Sequence, residues 1–307
     1  MKYQYQMFNF KPRDNGTALV FGLDFDKETM EKIDVELRER HHKDDIEQVG
    51  FVGEDNKGYR LEMAGGEFCG NAMRCAANYF LGNKIGNIEI RTSMGSGEPP
   101  KLLKAGVKEI GKAWTEISCC GNIQKFVSVA ADTDFFLVDL GGIVHLVILP
   151  NKSEPFLRRA RSEKSLEGWT NSFGKDEAKK AAAEESFKNE IKPIAKKLMD
   201  EHSLTERDAC GVMLLEEISN GLKMHPCVFV KGREEVVYET ACGSGSIAVA
   251  MADAFLRKDS VKKPVVQPSE SIIDAVVEIE ANETITNAYI DGPVKTNGEP
   301  ISRELET

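Results

Sequence analysis

The sequence predicts an α/β protein built from two similar halves, and three observations carry that expectation. Short strand-like segments alternate with helical ones along most of the chain. The order found in the first part recurs in the second. Each part also holds a helix of small residues that starts directly after a Cys-Gly pair, "CGNAMRCAANYF" in one and "CGSGSIAVAMADAF" in the other. At 307 residues the chain has the length of about two ordinary domains.

In the first half "TALVFGLDF" reads as a strand, "KETMEKIDVELRERH" as a helix, and "EQVGFVGE" and "GYRLEMAGG" as further strands. The Cys69 helix follows, and Gly82 is placed to end it. "IGNIEIRTS" and "AWTEISCCGN" continue as strands. In the second half "FFLVDL" and "VHLVILP" precede a long helical stretch. After it come "CGVMLLEEI", a hairpin through "MHPCVFVKGREEVVYETAC", the Cys242 helix, and strands at "PVVQP", "SIIDAVVEIEA" and "NAYIDGPVK". Residues 151–186 are dominated by Lys, Glu, Ser and Ala and read as a solvated surface insertion. Phe187, Ile191, Ile194 and Leu198 lie at helical spacing and should rest on the domain, with Pro193 starting or kinking that helix.

Composition narrows the partners. A hydrophobic fraction of 41% supports packed cores, and 40 basic against 50 acidic residues give a net charge of −10. That balance disfavours nucleic acid or an anionic membrane as a partner. The N-terminal segment has no apolar stretch of signal-peptide length. The longest apolar run, "FFLVDLGGIVHLVIL", is broken by Asp139, a Gly pair and His145, so it reads as two strands joined by a turn. Seven cysteines without a secretory signal point to reduced thiols in a cytoplasm.

Cys69 and Cys242 occupy the place where a helix cap belongs. A cap is usually Ser, Thr, Asp or Asn, whose oxygen accepts free N–H groups of the first turn. A sulfur there has the same reach, and a thiolate gains from those N–H groups and the helix dipole. The bland alternative is a small apolar residue that happens to open a helix. Two cysteines at equivalent places favour function. The chemistry that uses such a pair is proton exchange at one carbon: one sulfur removes an amino-acid α-proton and the other delivers a proton to the opposite face. Helix-start N–H groups at Gly70, Asn71, Gly243 and Ser244 then hold the carboxylate and the developing charge without a cofactor.

"FCGNAMRC", "ETACGSGS", "VVQPSESI" and "YIDGPV" resemble the ordered motifs of the diaminopimelate epimerase family of cofactor-independent amino-acid racemases. The wording of "EFCGNA" and "EQVGF" is most similar to its histidine racemase branch. The resemblance implies two pseudo-symmetric domains, each a curled, mostly antiparallel sheet around a central helix, with a cleft between them. One domain spans about 1–123, with a strand within 288–307 that can return to it, and the other about 124–287. It further implies Cys69 and Cys242 as catalytic bases, with Asn15 and Gln48 near the substrate and Glu47 in the histidine racemase wording. Asn71, Gly243 and Ser244 match the carboxylate-binding helix starts, and Glu239 is placed to meet the substrate ammonium. Neither a cofactor nor a metal is called for. A homodimer is allowed by the composition and the resemblance, and required by neither.

The departures concern the side chain. Ile143 stands where the epimerases carry an asparagine that binds the distal end of diaminopimelate, "CGVMLLEE" lacks another, and "GREEVVYET" replaces the usual approach to the second cysteine. Apolar residues there would leave distal charges unpaired. An amino acid with one α-centre, histidine first, is therefore expected ahead of diaminopimelate.

Rival readings are weaker. "GSGSIA" fits a permissive dinucleotide pattern, but the next strand carries no acidic residue for a ribose. Cys69, Cys75, Cys119 and Cys120 lack a C-x-x-C pair or a histidine at ligand spacing, and Cys119 and Cys120 should face opposite sides of a strand. A Cys–His hydrolase needs His145 or His225 beside a thiol; both read as core histidines, His145 with a chance of lining the cleft. A non-catalytic amino-acid-binding protein would have no need of both sulfurs.

Overall fold

The computed structural model describes residues 2–11, 16–22, 24–40, 46–95, 99–130, 134–161, 177–219, 221–231, 235–296 and 300–306. Its strands join into one continuous, strongly curled sheet system, and five α-helices lie among the described residues: α1 (Lys27–Arg40), α2 (Gly70–Phe80), α3 (Pro150–Ala160), α4 (Glu177–Glu201) and α5 (Gly243–Arg257).

The two halves repeat one connection pattern. In the first, Gly16–Phe21 runs parallel to Ile46–Asp55 through α1, and Gly58–Met63 runs parallel to Gly86–Thr92 through α2. In the second, Val144–Ile148 runs parallel to Ala209–Ile218 through α3 and α4, and Gly221–Val230 runs parallel to Val261–Val266 through α5. Antiparallel pairings fill the remainder of each sheet. The strand Thr284–Pro293 serves both halves, pairing with Ile272–Ile279 on one side and Lys112–Glu116 on the other.

Helices α2 and α5 run through the middle of their sheets, which accounts for their composition. Nine of the eleven residues of α2 are buried, and α5 is buried at nearly every position from Gly243 to Ala254, so alanine and glycine replace the polar face of a surface helix and let strands approach closely. Surface helix α1 instead buries one stripe, with Met30, Ile33 and Leu37 as its apolar members.

Three sequence expectations change. The strand Lys2–Lys11, absent from the sequence reading, pairs with Gly16–Phe21 and with the C-terminal strand Ile301–Glu306. The stretch read as a solvated insertion occupies the same crossover place as α1; its first part, α3, belongs to a core, while residues 181–186 are exposed or half-exposed as expected. Leu157 and Ala160 of α3 pack with Phe187, Ile191, Ala195, Leu198 and Met199 of α4 over the second sheet. Buried Ser153 ties α3 to two strands, its hydroxyl donating to Ile148 O at 2.8 Å and accepting from Leu215 N at 2.9 Å. Pro193 lies inside α4, which continues to Glu201, and residues 162–176 lie outside the described ones. Finally, Cys119 is buried and Cys120 exposed, as expected, but they follow the strand Lys112–Glu116 and do not belong to it.

If these crossover helices are part of the core, Ile191→Ala should destabilise the protein by about 2–5 kcal/mol, the cost of deleting a fully buried aliphatic side chain. Thermal or urea unfolding followed by circular dichroism measures it.

Candidate active site

Each cysteine caps its helix in the same way. Cys69 is extended (φ −130°, ψ 108°) and its sulfur accepts from Ala72 N at 3.4 Å. Cys242 is extended (φ −125°, ψ 109°) and its sulfur accepts from Gly245 N at 3.2 Å. The helices meet start to start. A Cβ placed on Gly70 or on Gly243 would lie 2.7 Å from the same atom, Ile290 Cδ1, and on Gly243 also 3.6 Å from Asn71 N. Glycine at these two positions lets both helix starts close around Ile290.

Between them lies a cavity of about 50 Å³. Cys69, Cys242, Gln48, Gly70, Asn71, Glu239, Gly243 and Ser244, all singled out in the sequence, line it together. Glu47 stands beside it, accepting a hydrogen bond from Thr240 Oγ1 at 2.5 Å and interacting with Glu239. Asn15 lies outside the described residues. The rest of the wall is Glu67, Phe68, Ile143, Ala209, Val228 and Val230, so Ile143, the apolar replacement noted in the sequence, faces the cavity. Its position is fixed by the neighbouring Gly142, where a Cβ would fall 2.3 Å from Met94 O.

Burial governs the protonation of this cluster. The Cys69 thiol donates to Gln48 Oε1 at 2.7 Å. Burial pushes its pKa up to about 12 against the pull of helix-start N–H groups from Ala72 and Asn71. Cys242 is raised well above its ordinary value by burial first and by the Glu239 carboxylate second; Ser244 and the Gly245 N–H oppose. Burial also raises Glu47 to about 8, with the Glu239 charge adding to it and the Thr240 hydrogen bond opposing it. Glu47 is therefore mainly neutral at pH 7.

Sequence reading missed the groups behind the cysteines. Gln267, inside the quoted "VVQPSESI", accepts from Cys242 N at 2.9 Å and donates to Ser246 Oγ at 3.0 Å, locking the second helix start. His145 Nε2 lies 2.9 Å from Ser244 Oγ, which in turn is 3.5 Å from Cys242 Sγ. His145 thus reaches the cleft through one hydroxyl and is more than a core residue. Burial lowers it to about 3, so it is neutral and forms no imidazolium–thiolate pair. His225 bonds Glu216 and Tyr238 and not a thiol. Both facts count against the hydrolase. The glycines of "GSGSIA" are filled by protein atoms, with Met213 Sδ 2.3 Å from a Cβ at Gly245, which leaves no phosphate cradle. Among the described residues no cluster has the makings of a metal site, and no helix is long and apolar enough to cross a membrane.

The arrangement has structural relatives. A hydroxyproline epimerase from Agrobacterium vitis, solved with bound trans-4-OH-L-proline, superposes with a TM-score of 0.60 at 12% identity, covering 100% of this chain and 95% of that one. A Bacillus anthracis protein of the PhzF phenazine-biosynthesis family gives 0.56 at 14% identity, covering 100% of both chains. The fold is that of these two-lobed α/β proteins. Sequence comparison narrows the class. The family described as "Histidine racemase CntK N-terminal domain" matches residues 4–178 and 178–300. Histidine racemases from two strains of Fusobacterium nucleatum subsp. nucleatum are 28% identical over 292 residues, covering 92% of this chain and 91% of the relative, and 29% identical over 311 residues, covering 96% of each. The chain belongs to the histidine racemase family and is an isomerase of the racemase type.

Glu47 supplies a stability test. Its folded pKa of about 8 lies above the ordinary 4.5, so folding favours its neutral form. The stability it contributes is complete below pH 4.5 and is lost as the pH rises through 8. Melting temperature should therefore fall across that window, and Glu47→Gln, which mimics the neutral carboxyl, should flatten the decline while matching the parent at pH 4.5. Differential scanning fluorimetry against pH reads both.

Proposed function

We propose that the protein interconverts L- and D-histidine without a cofactor, using Cys69 and Cys242 as a thiol–thiolate pair on opposite faces of the α-carbon. The observation that carries this reading is the matched capping of two converging helices by two sulfurs that line one cavity. The first-turn N–H groups at Gly70, Asn71, Gly243 and Ser244 receive the carboxylate and stabilise the carbanion. The substrate ammonium meets Glu239, with Glu47 behind it. When Glu239 turns to that cation, the interaction that helps keep the Cys242 proton in place is withdrawn, and a thiolate can form. Gln48 holds the Cys69 thiol in its protonated form, ready to donate.

Histidine is supported by the family and by the side-chain wall. Beside Glu67 the wall is apolar, and Phe68, Ile143, Ala209, Val228 and Val230 offer no partner for a second carboxylate, so diaminopimelate would leave that charge buried and unpaired. An imidazole loses far less on such a surface. The setting we propose is a reducing cytoplasm, consistent with seven free cysteines.

Incubation with L- and D-amino acids, diaminopimelate included, in heavy water and reading of α-deuteration by NMR tests the reaction and the substrate together. Histidine should be labelled and racemised. Cys69→Ser and Cys242→Ser should each lower racemisation by at least about a hundredfold while leaving the circular dichroism spectrum unchanged. Near-normal rates in both variants would overturn the mechanism, and labelling of another amino acid in place of histidine would overturn the substrate.

A further inference from the structure

We propose that Arg74, buried in α2, is a positioning residue for racemisation: by orienting the Asn71 amide it holds the two helix starts, and hence Cys69 and Cys242, at a working separation. The inference rests on the two-thiol reading above.

Arg74 is 1% exposed, among the largest fully buried side chains. Its Nη2 donates to Asn71 Oδ1 at 2.7 Å, while its Nε and Nη1 have no partner among the described residues. Asp291, a neighbouring carboxylate, is itself buried and is engaged by Lys108 at 3.0 Å. A Cβ on Gly292 would fall 2.6 Å from Arg74 Nη1, so the shared strand Thr284–Pro293 passes flush against the guanidinium. Packing alone gives no reason to bury an incompletely paired charge there, because an apolar side chain of similar volume would do better.

The contact with Asn71 supplies the reason. Asn71 Nδ2 donates to Ala241 O at 3.0 Å, across from the first half to the residue just before Cys242. Asn71 itself is two residues past Cys69, so one amide links both cysteine caps. A guanidinium has only donors, and its presence therefore forces the amide oxygen toward Arg74 and the amide NH₂ toward Ala241. Without it the amide can turn round, set its oxygen against the Ala241 carbonyl and break the link. A proton relay between two bases is sensitive to their separation, and the Asn71–Ala241 bond spans that gap.

The test uses Arg74→Met, Arg74→Lys and Asn71→Asp in the full-length protein. Each is incubated with a single histidine enantiomer in heavy water, stopped early, and deuterium at Cα is read separately in product and recovered substrate. In the parent enzyme the label is confined to product. Arg74→Met should lower kcat by at least about tenfold with a change in KM below about threefold. It should also place deuterium in recovered substrate, because a carbanion that waits longer for the second sulfur lets the proton on the first sulfur exchange with solvent deuterium before it returns. Arg74→Lys keeps a donor toward Asn71 and should recover part of kcat and the parental labelling. A parental kcat in Arg74→Met, or a lowered kcat with parental labelling, overturns the proposal, since a purely structural role moves stability and not the partition of label. Asn71→Asp gives Arg74 a charged partner but removes the donor to Ala241. It answers the case in which Arg74→Met fails to fold: it should fold and label recovered substrate, and parental labelling would overturn the proposal.

Label in the substrate recovered from the parent enzyme would count against the two-thiol reading instead. Arg74 is then judged without catalysis, by the rate at which phenylarsine oxide bridges Cys69 and Cys242, followed by mass spectrometry. Slower bridging in Arg74→Met supports the positioning role, and an equal rate overturns it.

Discussion

A helix buried on every side must direct the free N–H groups of its first turn into the protein, and α2 and α5 do this at the same spot. Each helix start has about four such donors. One on each is taken by the capping sulfur, from Ala72 and from Gly245. Cys242 N is taken by Gln267, and the first-turn residues Gly70, Asn71, Gly243 and Ser244 line the cavity. The demand for an anion at this point therefore comes from the backbone. On the proposed mechanism this is why the residues at the two helix starts are glycine, asparagine and serine and not arginine or lysine.

The same burial sets a conflict for the thiols. Helix-start N–H groups favour a thiolate, desolvation disfavours it, and for both cysteines desolvation wins. Each sulfur is consequently a thiol in this state, and an ionised one requires a cation brought to its side. The Glu239 charge opposes the ionisation of Cys242 and of Glu47 alike, which is why the proposed mechanism brings the cation to Glu239. On the proposed mechanism, then, the substrate ammonium is part of what activates the base, and an analogue without it would bind with both thiols protonated.

The sequence makes the chemistry more legible than its support. Cys69, Cys242 and their flanking residues announce themselves because capping is local: the donor lies three residues from the sulfur. Ile143 is readable for a similar reason, as a substitution within one turn. Residues that act across the halves leave no comparable trace. The Asn71–Ala241 bond joins positions 170 apart in sequence, and the Thr240–Glu47 bond joins positions 193 apart. Nothing near Arg74 reveals that it is buried, because the "NAMRC" setting is equally compatible with a solvated helix face. The strand Lys2–Lys11 lies outside the sequence reading although "YQYQMFNF" alternates; of its partners Gly16–Phe21 is adjacent in sequence, and Ile301–Glu306 lies at the other end of the chain. Within the charged 151–186 stretch, α3 is hidden for the opposite reason: a crossover helix needs only one apolar stripe, here Leu157 and Ala160, and the charged residues around it conceal it.

Pseudo-symmetry and its loss divide the work of the site between them. Two enantiomers present their α-protons on opposite faces of one carbon, so two equivalent bases with equivalent caps suit the proton transfers. A side chain has no such symmetry and must be gripped from one direction. The cavity wall follows this logic, for Ile143, Ala209, Val228 and Val230 all belong to the second half, and Phe68 is the large apolar contribution of the first. That second half is also where the crossover has diverged, α3 and α4 replacing a single helix. The Phe187 ring of α4 packs edge-on against Tyr238, one residue before Glu239. An elaborated crossover on one side can thus shape the substrate pocket near Cys242 while the paired helix starts, held by the common strand between them, remain alike.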